Sequence, residues 1–263
     1  MPQASHSGRY SVLGLITDYG YKDVYAGILR VVAKDICQKA DVVDITHGIE
    51  KFNVLEGAVA TLVTLPHLPD NSTLVVVVDP GVGSRREAVA AKIGRWYVVA
   101  PNNGVLWLAA KEYGLKEIVK IEKEVSKYKS FTFHGRDIFV PAGALLECGY
   151  DINELGPSTK LIELPIALKR KIEKKRIETT VVYVDHFGNV MTWARELPFE
   201  YGDEVLINRK WKAKVVKTFS EVEEGKLAVY LNSFGYVEIA KYLGSASQTL
   251  GLREGMEVTI ESA

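Results

Sequence analysis

Where the apolar runs of this sequence stop, acidic and amide side chains begin, and these are the residues placed to do chemistry. Leu74 to Val78 is an unbroken apolar run, followed directly by Asp79, Pro80, Gly81, Val82, Gly83, Ser84, Arg85 and Arg86. A β-branched run closed by Pro and Gly reads as a strand buried on both faces. The carboxylate at its end, with a loop of glycines and arginines, brings opposite charges and free backbone N–H groups to a sheet edge, where ligands of open α/β sheets sit. An ordinary tight turn with a surface ion pair fits the same residues equally well. Asp18 and Asp23 follow another apolar run, and Asp185 and Asn189 bracket His186, Phe187 and Gly188. Carboxylates in such places commonly accept from ribose hydroxyls, although each taken singly serves as well in a cap or turn. His134, beside Phe133, Gly135 and Arg136, is either a structural hydrogen-bonder or a proton carrier.

Other chemistries lack their signatures. Gly81 to Arg86 opens like a dinucleotide fingerprint without its third glycine, and no glycine-rich loop ends in Lys followed by Ser or Thr. No two histidines have the helical spacing of metal ligands, and the Gly-x-Ser-x-Gly elbow of esterases does not occur. No metal is therefore expected.

The elements that must position these groups alternate. Ser11 to Thr17 reads as a strand that delivers Asp18, and Val24, Ile28, Val31, Val32 and Cys37 follow at near-helical spacing. Asp41 to Thr46 is a second strand, Asn53 caps a helix through Leu55, Val59, Leu62 and Val63, and the Leu74 strand comes next. Such alternation predicts a largely parallel sheet. Ala88 to Ile93 and Trp96 to Ala100 flank Gly94 and Arg95 as a hairpin, which makes the sheet mixed. Asn102 and Asn103 turn the chain into a helix with Leu106, Trp107 and Ala110, and a strand-to-helix junction at Phe131 to Arg136 leads into a helix from about Asp137 to Cys148. The basic stretch Leu161 to Thr180 reads as a solvated connector at a domain boundary. Short β-rich runs then recur from Val181 to Ile260, as in a small antiparallel barrel or sandwich. The expected organisation is an α/β domain over residues 1–165 and a β-barrel-like domain over 166–263.

Composition bounds the rest. The 263 residues contain 47% hydrophobic and 25% charged side chains, with 33 basic against 33 acidic, so neither a nucleic-acid nor a membrane surface is indicated. Apolar runs fall short of the ~20 residues of a membrane span, and Met1 to Arg9 lacks the apolar core of a secretory signal. A cytoplasmic protein is expected. Cys37 and Cys148, without metal spacing and in apolar surroundings, read as buried free thiols.

The segments Thr17-Asp18-Tyr19-Gly20, Asp44-Ile45-Thr46-His47, Val78-Asp79-Pro80-Gly81-Val82-Gly83 with Arg86, Pro101-Asn102-Asn103-Gly104, Phe133-His134-Gly135-Arg136-Asp137, Asp185-His186-Phe187-Gly188-Asn189 and Asn232-Ser233-Phe234-Gly235 resemble, in order and nearly end to end, the S-adenosyl-L-methionine (SAM) hydroxide adenosyltransferases. These are adenosine-forming SAM hydrolases related to the fluorinase and chlorinase. The resemblance implies an enzyme with an N-terminal α/β domain and a C-terminal β-barrel-like domain, assembled as a homotrimer with active sites at subunit interfaces. It implies attack of water on the ribose C5′, release of methionine and no cofactor. By motif the catalytic set falls on Asp79, Arg86 and His134; either Asp79 or His134 can take the water's proton. Asp18 corresponds to the residue holding the ribose hydroxyls and Phe52 to an aromatic beside the sugar. Asp23, Asp185 and Ser233 match positions near the methionine amino and carboxylate groups. Asn189 and Phe219 match adenine contacts, and Leu243 a position whose backbone meets the base. Phe234 stands where the halogenases have Arg, which leaves the partner of the substrate carboxylate open. Gly135 replaces a fluorinase serine and Asp79 a halogenase tyrosine; a carboxylate there repels halide yet accepts from water. Halogenation, a non-catalytic SAM or adenosine sensor and, more weakly, SAM-dependent methyl transfer are the competing readings.

Overall fold

The computed structural model describes residues 10–263; the expectation about Met1 to Arg9 lies outside them. The chain divides into two compact units, the first ending at Pro165 and the second beginning at Ile166.

In the first unit the strands are β1 (Leu13–Thr17), β2 (Val42–Thr46), β3 (Thr73–Val77), β4 (Ala88–Ile93), β5 (Trp96–Pro101) and β6 (Leu115–Lys120), and the helices are α1 (Tyr25–Ile36), α2 (Val54–Thr64), α3 (Trp107–Tyr113) and α4 (Val140–Glu147). The sheet order is β2-β1-β3-β5-β4-β6. β1 pairs in parallel with β2 and β3, and β3 with β5, while β4 runs antiparallel to β5 and β6. Every residue of β3 is buried, because apolar clusters cover both faces. On one face Val75 and Val77 pack with Leu29 of α1 and Val140 and Ala142 of α4; on the other, Leu74 and Val76 pack with Ala60 of α2 and Ala109 of α3. Parallel strands with short connections place Asp18, His47 and Asp79 beyond the carboxyl ends of β1, β2 and β3, along one sheet edge. Asn53 caps α2 by accepting from the Glu56 N–H at 3.1 Å.

The second unit contains β7 (Arg170–Glu173), β8 (Arg176–Val184), β9 (Val190–Thr192), β10 (Glu204–Ile207), β11 (Trp211–Val215), β12 (Leu227–Leu231), β13 (Val237–Lys241), the short helix α5 (Ala246–Leu250) and β14 (Glu257–Ser262). Strands β14-β10-β11-β12-β13-β9-β8 follow one another, and pairing of β14 with β8 closes them into a barrel around Ile177, Val205, Val229, Ile239 and Ile260. The pairing of β11 with β12 is parallel, the exception in an otherwise antiparallel barrel.

Three sequence expectations need correction. The basic stretch is not a solvated connector throughout: Arg170–Glu173 and the start of β8 are strands, with Lys169 2.9 Å from Glu257 and Arg176 3.0 Å from Glu178 and 3.1 Å from Glu261. Several of its charges pair with acids of the barrel strands, Glu178 on β8 and Glu257 and Glu261 on β14. Cys37 and Cys148 are not free thiols but form a disulfide, with Cα atoms 5.8 Å apart. Each immediately follows a helix, and α1 packs against α4, so side-by-side helix ends bring together cysteines separated by 111 residues. His134, finally, does not follow a strand; an irregular segment precedes it and a wide π-helical turn, Gly135–Phe139, leads from it into α4.

Candidate active site

β3 stops at Val77, and the chain turns twice before β4, with Val82 N–H donating to the Asp79 carbonyl and Ser84 N–H to that of Gly81. These turns fold Arg86 back onto Asp79. Arg86 Nε donates to Asp79 Oδ1 at 2.8 Å, one of its terminal nitrogens donates to Oδ2, and the same nitrogen lies 2.7 Å from His134 Nδ1. The carboxylate and guanidinium side chains are only 6% and 10% exposed, which protects the pair from solvent screening. Buried Phe139 lies under the guanidinium, its ring centroid 5.0 Å away.

The contact with His134 fixes that ring's protonation. A guanidinium has only donors, so Nδ1 is the acceptor and a neutral ring carries its proton on Nε2. Burial, then the Arg86 charge, push the imidazole below the usual histidine value, against opposing pulls from Asp79 and Asp137. The ring is aimed by its own turn: Asp137 Oδ2 accepts from Ser130 N–H and Oγ, both at 2.8 Å, and Arg136 also pairs with Asp137. Although burial opposes ionisation, those donors hold the Asp137 carboxyl below the ordinary carboxylate range. Arg136, despite its proximity in sequence to His134, thus serves the turn.

Asp18 follows β1, and its Oδ2 accepts from the Phe52 N–H at 3.0 Å. Burial raises its proton affinity, backbone donors reduce it, and the nearby Asp79 charge raises it further. The loop is stitched to the one after β2: Thr17 Oγ1 lies 2.8 Å from His47 Nδ1, Gly20 N–H donates to the His47 carbonyl at 2.7 Å, and Tyr19 N–H donates to Thr17 Oγ1 at 3.1 Å. Phe52, 66% exposed, holds a backbone φ of +66°, a conformation that costs a non-glycine residue ~1 kcal/mol or more. Asp23 is exposed in the same loop as Asp18. Tyr19 and His47 were not singled out from sequence; both lie within segments already recognised by their order, but nothing in their spacing reveals their partners.

In the second unit Asp185 Oδ1 accepts from the N–H groups of Phe187 and Asn189, and Oδ2 from Asn189 Nδ2 at 2.8 Å, a self-contained turn after β8. The Asp185 charge reaches Tyr230, whose hydroxyl donates to Glu238 at 2.6 Å; burial first, then these carboxylates, push that phenol upward. Phe219, 48% exposed, lies between Tyr230 and Tyr242, each ring centroid 6.4 Å away. Ser233 is exposed in the turn after β12, and Leu243, also exposed, holds a φ of +53° in the turn after β13. The asparagines Asn102 and Asn103 are structural: Asn103 donates to the Val78 carbonyl at 2.9 Å and Asn102 to that of Lys160 at 2.9 Å. Among the described residues, no cluster of His, Cys, Asp and Glu could hold a metal ion, and no helix is long and apolar enough to cross a membrane.

Residues 13–156 match the SAM hydroxide adenosyltransferase N-terminal domain, and residues 179–259 match the corresponding C-terminal domain. The chain is 35% identical to an (R)-S-adenosyl-L-methionine hydrolase of Thermus thermophilus, over 93% of this chain and 97% of that one. It is 34% identical to the (R)-S-adenosyl-L-methionine hydrolase of Methanocaldococcus jannaschii, over 92% of each. A fluorinase of Actinopolyspora mzabensis is 26% identical over 95% of this chain and 96% of its own. Among solved structures, a conserved protein from Thermotoga maritima superposes with a TM-score of 0.89 at 39% identity, covering 95% of this chain and all of that one.

Proposed function

The chain belongs to the SAM hydroxide adenosyltransferase family, and on that premise we propose that it hydrolyses S-adenosyl-L-methionine to adenosine and L-methionine. The observation that carries the mechanism is the mutual contact of Asp79, Arg86 and His134. Water is a poor nucleophile, with a pKa near 15.7, so a site without a metal must align it and receive its proton as the new bond forms. The water oxygen attacks C5′, the C5′–S bond breaks with its electron pair passing to sulfur, and the water proton moves to the protein. Asp79 is the acceptor we favour: His134 Nδ1 is already taken by Arg86 and its Nε2 bears the ring proton, whereas each Asp79 oxygen keeps a lone pair beyond its bond to Arg86. Arg86 holds the carboxylate in place and stabilises hydroxide-like charge as it develops. Loss of the sulfonium charge in the same step makes a water-poor pocket favourable to the products.

Asp18 accepts from the ribose hydroxyls with the lone pairs left after the Phe52 N–H, and Phe52 packs beside the sugar. Asp23, Asp185 and Ser233 face the methionine end, Asn189 and Phe219 the adenine, and the Leu243 backbone the base. The active form is a homotrimer in which the α/β unit of one subunit and the barrel unit of the next complete each site, in the cytoplasm, without a cofactor. The relatives' names specify the (R) form. Since the L descriptor already fixes the amino-acid carbon, the remaining centre is the sulfonium, and we take that epimer as the substrate here. Purified protein incubated with each sulfonium epimer, followed by chromatography, tests the reading: adenosine and methionine in equal amounts, faster from the (R) epimer, are expected. Intact SAM after prolonged incubation, or a product requiring added halide, would refute it.

A further inference from the structure

Gly135 occupies a helical turn without a positive φ, so its backbone would admit any residue. What excludes a side chain is Tyr19. A Cβ built on Gly135 would lie 2.5 Å from the Tyr19 hydroxyl and 3.3 Å from Cε2 and Cζ of that ring. Residue 135 adjoins His134 and Tyr19 adjoins Asp18, so the phenol oxygen fills a space flanked by the backbone of both. The charges acting on it are those of Asp18, Asp79 and Arg86, and the Gly135 N–H points its dipole at it. Burial first, then the two carboxylates, push the phenol upward, which keeps the hydroxyl neutral. Its ring is wedged edge-on against Tyr25 and Phe133, with centroids 5.9 Å away in both cases, and its backbone N–H is tied to Thr17. A hydroxyl carried on a ring fixed in this way needs no reorganisation to meet a ligand.

We propose that Tyr19 is the positioning residue for the attacking water, its hydroxyl holding the water's second hydrogen-bonding position from the space that the absent side chain of Gly135 leaves open. The inference rests on the hydrolytic reading above. A water that gives one proton to Asp79 still pivots about that hydrogen bond, and its lone pair points at C5′ only part of the time. A second partner removes the pivot. Tyr19 keeps its own proton throughout: the water O–H breaks toward Asp79, O–C5′ forms and C5′–S opens.

Tyr19→Phe deletes a single atom and retains the ring contacts. The expected result is a kcat lower by roughly 10- to 100-fold, the loss of one hydrogen bond to a group gaining charge, with KM for SAM within about 2-fold. Gly135→Ala pushes a methyl into the hydroxyl and should also lower kcat. In the double variant Tyr19→Phe/Gly135→Ala the methyl meets only ring carbons, so the loss should not exceed that of Tyr19→Phe alone. Tyr19→Phe/Gly135→Ser, which returns a hydroxyl from the other side, should recover part of the kcat. An unchanged kcat in Tyr19→Phe, a loss confined to KM, or single effects that multiply in the double variant would each overturn the proposal. A wild-type protein that forms no adenosine would instead overturn the hydrolase reading and this inference with it.

Discussion

A guanidinium that donates at once to a carboxylate and an imidazole holds both in place, and this makes the Asp79, Arg86 and His134 cluster open to test. Asp79→Asn keeps the shape and one of the two acceptors for Arg86 but cannot take up a proton; kcat for adenosine formation should fall by about 10²- to 10⁴-fold with little change in KM. A comparable loss in His134→Ala with Asp79→Asn nearly unaffected would move the role of base to the histidine. The pH profile gives an independent reading. His134 is held below the ordinary value of about 6.5 by burial and by Arg86, so the neutral ring persists below that pH, and the acid limb of kcat/KM should have its midpoint beneath 6.5. The linked effect on stability has a definite sign. Between the depressed folded value and about 6.5 the unfolded chain binds the proton and the folded one does not, so this group's contribution to stability falls as pH falls through that window. A thermal-denaturation series from pH 7 to 5 on wild type and His134→Asn should show a smaller decline in the variant. At this scale Asp18 and Asp79 stand out in the sequence because each follows an apolar run, whereas His134 follows an irregular segment and its place in the candidate set comes from its motif. The sequence did not show Tyr19 or His47, whose neighbours Gly135 and Thr17 are far away in the chain, the first brought near by the turn before α4 and the second by the parallel pairing of β1 with β2.

Helices and strands were legible where their apolar residues keep a period: β1, β2 and β3 as apolar runs, α1 and α2 by helical spacing and the Asn53 cap, and the β4–β5 hairpin by its Gly94-Arg95 turn. Legibility failed where an element depends on partners elsewhere. The stretch around β7 looks like a solvated basic tract because acids that pair with its flanking Lys169 and Arg176, Glu257 and Glu261, lie on β14. The Cys37–Cys148 bond escaped for a related reason: spacing in sequence carries no information on two helices lying side by side. That bond closes a loop of 111 residues, and in the chain-entropy account a loop of this length is worth up to about 4.7 kcal/mol. Cys37→Ser/Cys148→Ser should therefore unfold at a clearly lower guanidinium midpoint, and wild type in reducing buffer should approach the variant. Equal midpoints would mean that the helices hold themselves together without it. The turn that aims His134 makes a second prediction at this scale. Asp137→Ala removes the acceptor of the Ser130 N–H and Oγ and the partner of Arg136. It should cost roughly 1–3 kcal/mol of stability and lower kcat as His134 swings, although Asp137 itself touches no reacting atom.

For the molecule as a whole, the residues proposed to serve the substrate fall into two groups on separate compact units, Asp18, Asp23, Phe52, Asp79, Arg86 and His134 on the first and Asp185, Asn189, Phe219, Ser233 and Leu243 on the second. Either one chain supplies both groups to a site, or neighbouring subunits do. A rotationally symmetric trimer in which each α/β unit meets the next subunit's barrel unit makes a quantitative prediction. Asp79→Ala and Asn189→Ala chains, each nearly inactive alone, are co-expressed in equal amounts. A working site then requires an intact first unit from an Asn189→Ala chain followed by an intact second unit from an Asp79→Ala chain, and random assembly supplies that arrangement at about one site in four. Recovery of about a quarter of wild-type turnover, in a species that sediments as a trimer, is the expected outcome. Sites built within single chains would give no recovery at any mixing ratio, since no chain in the mixture carries both intact groups.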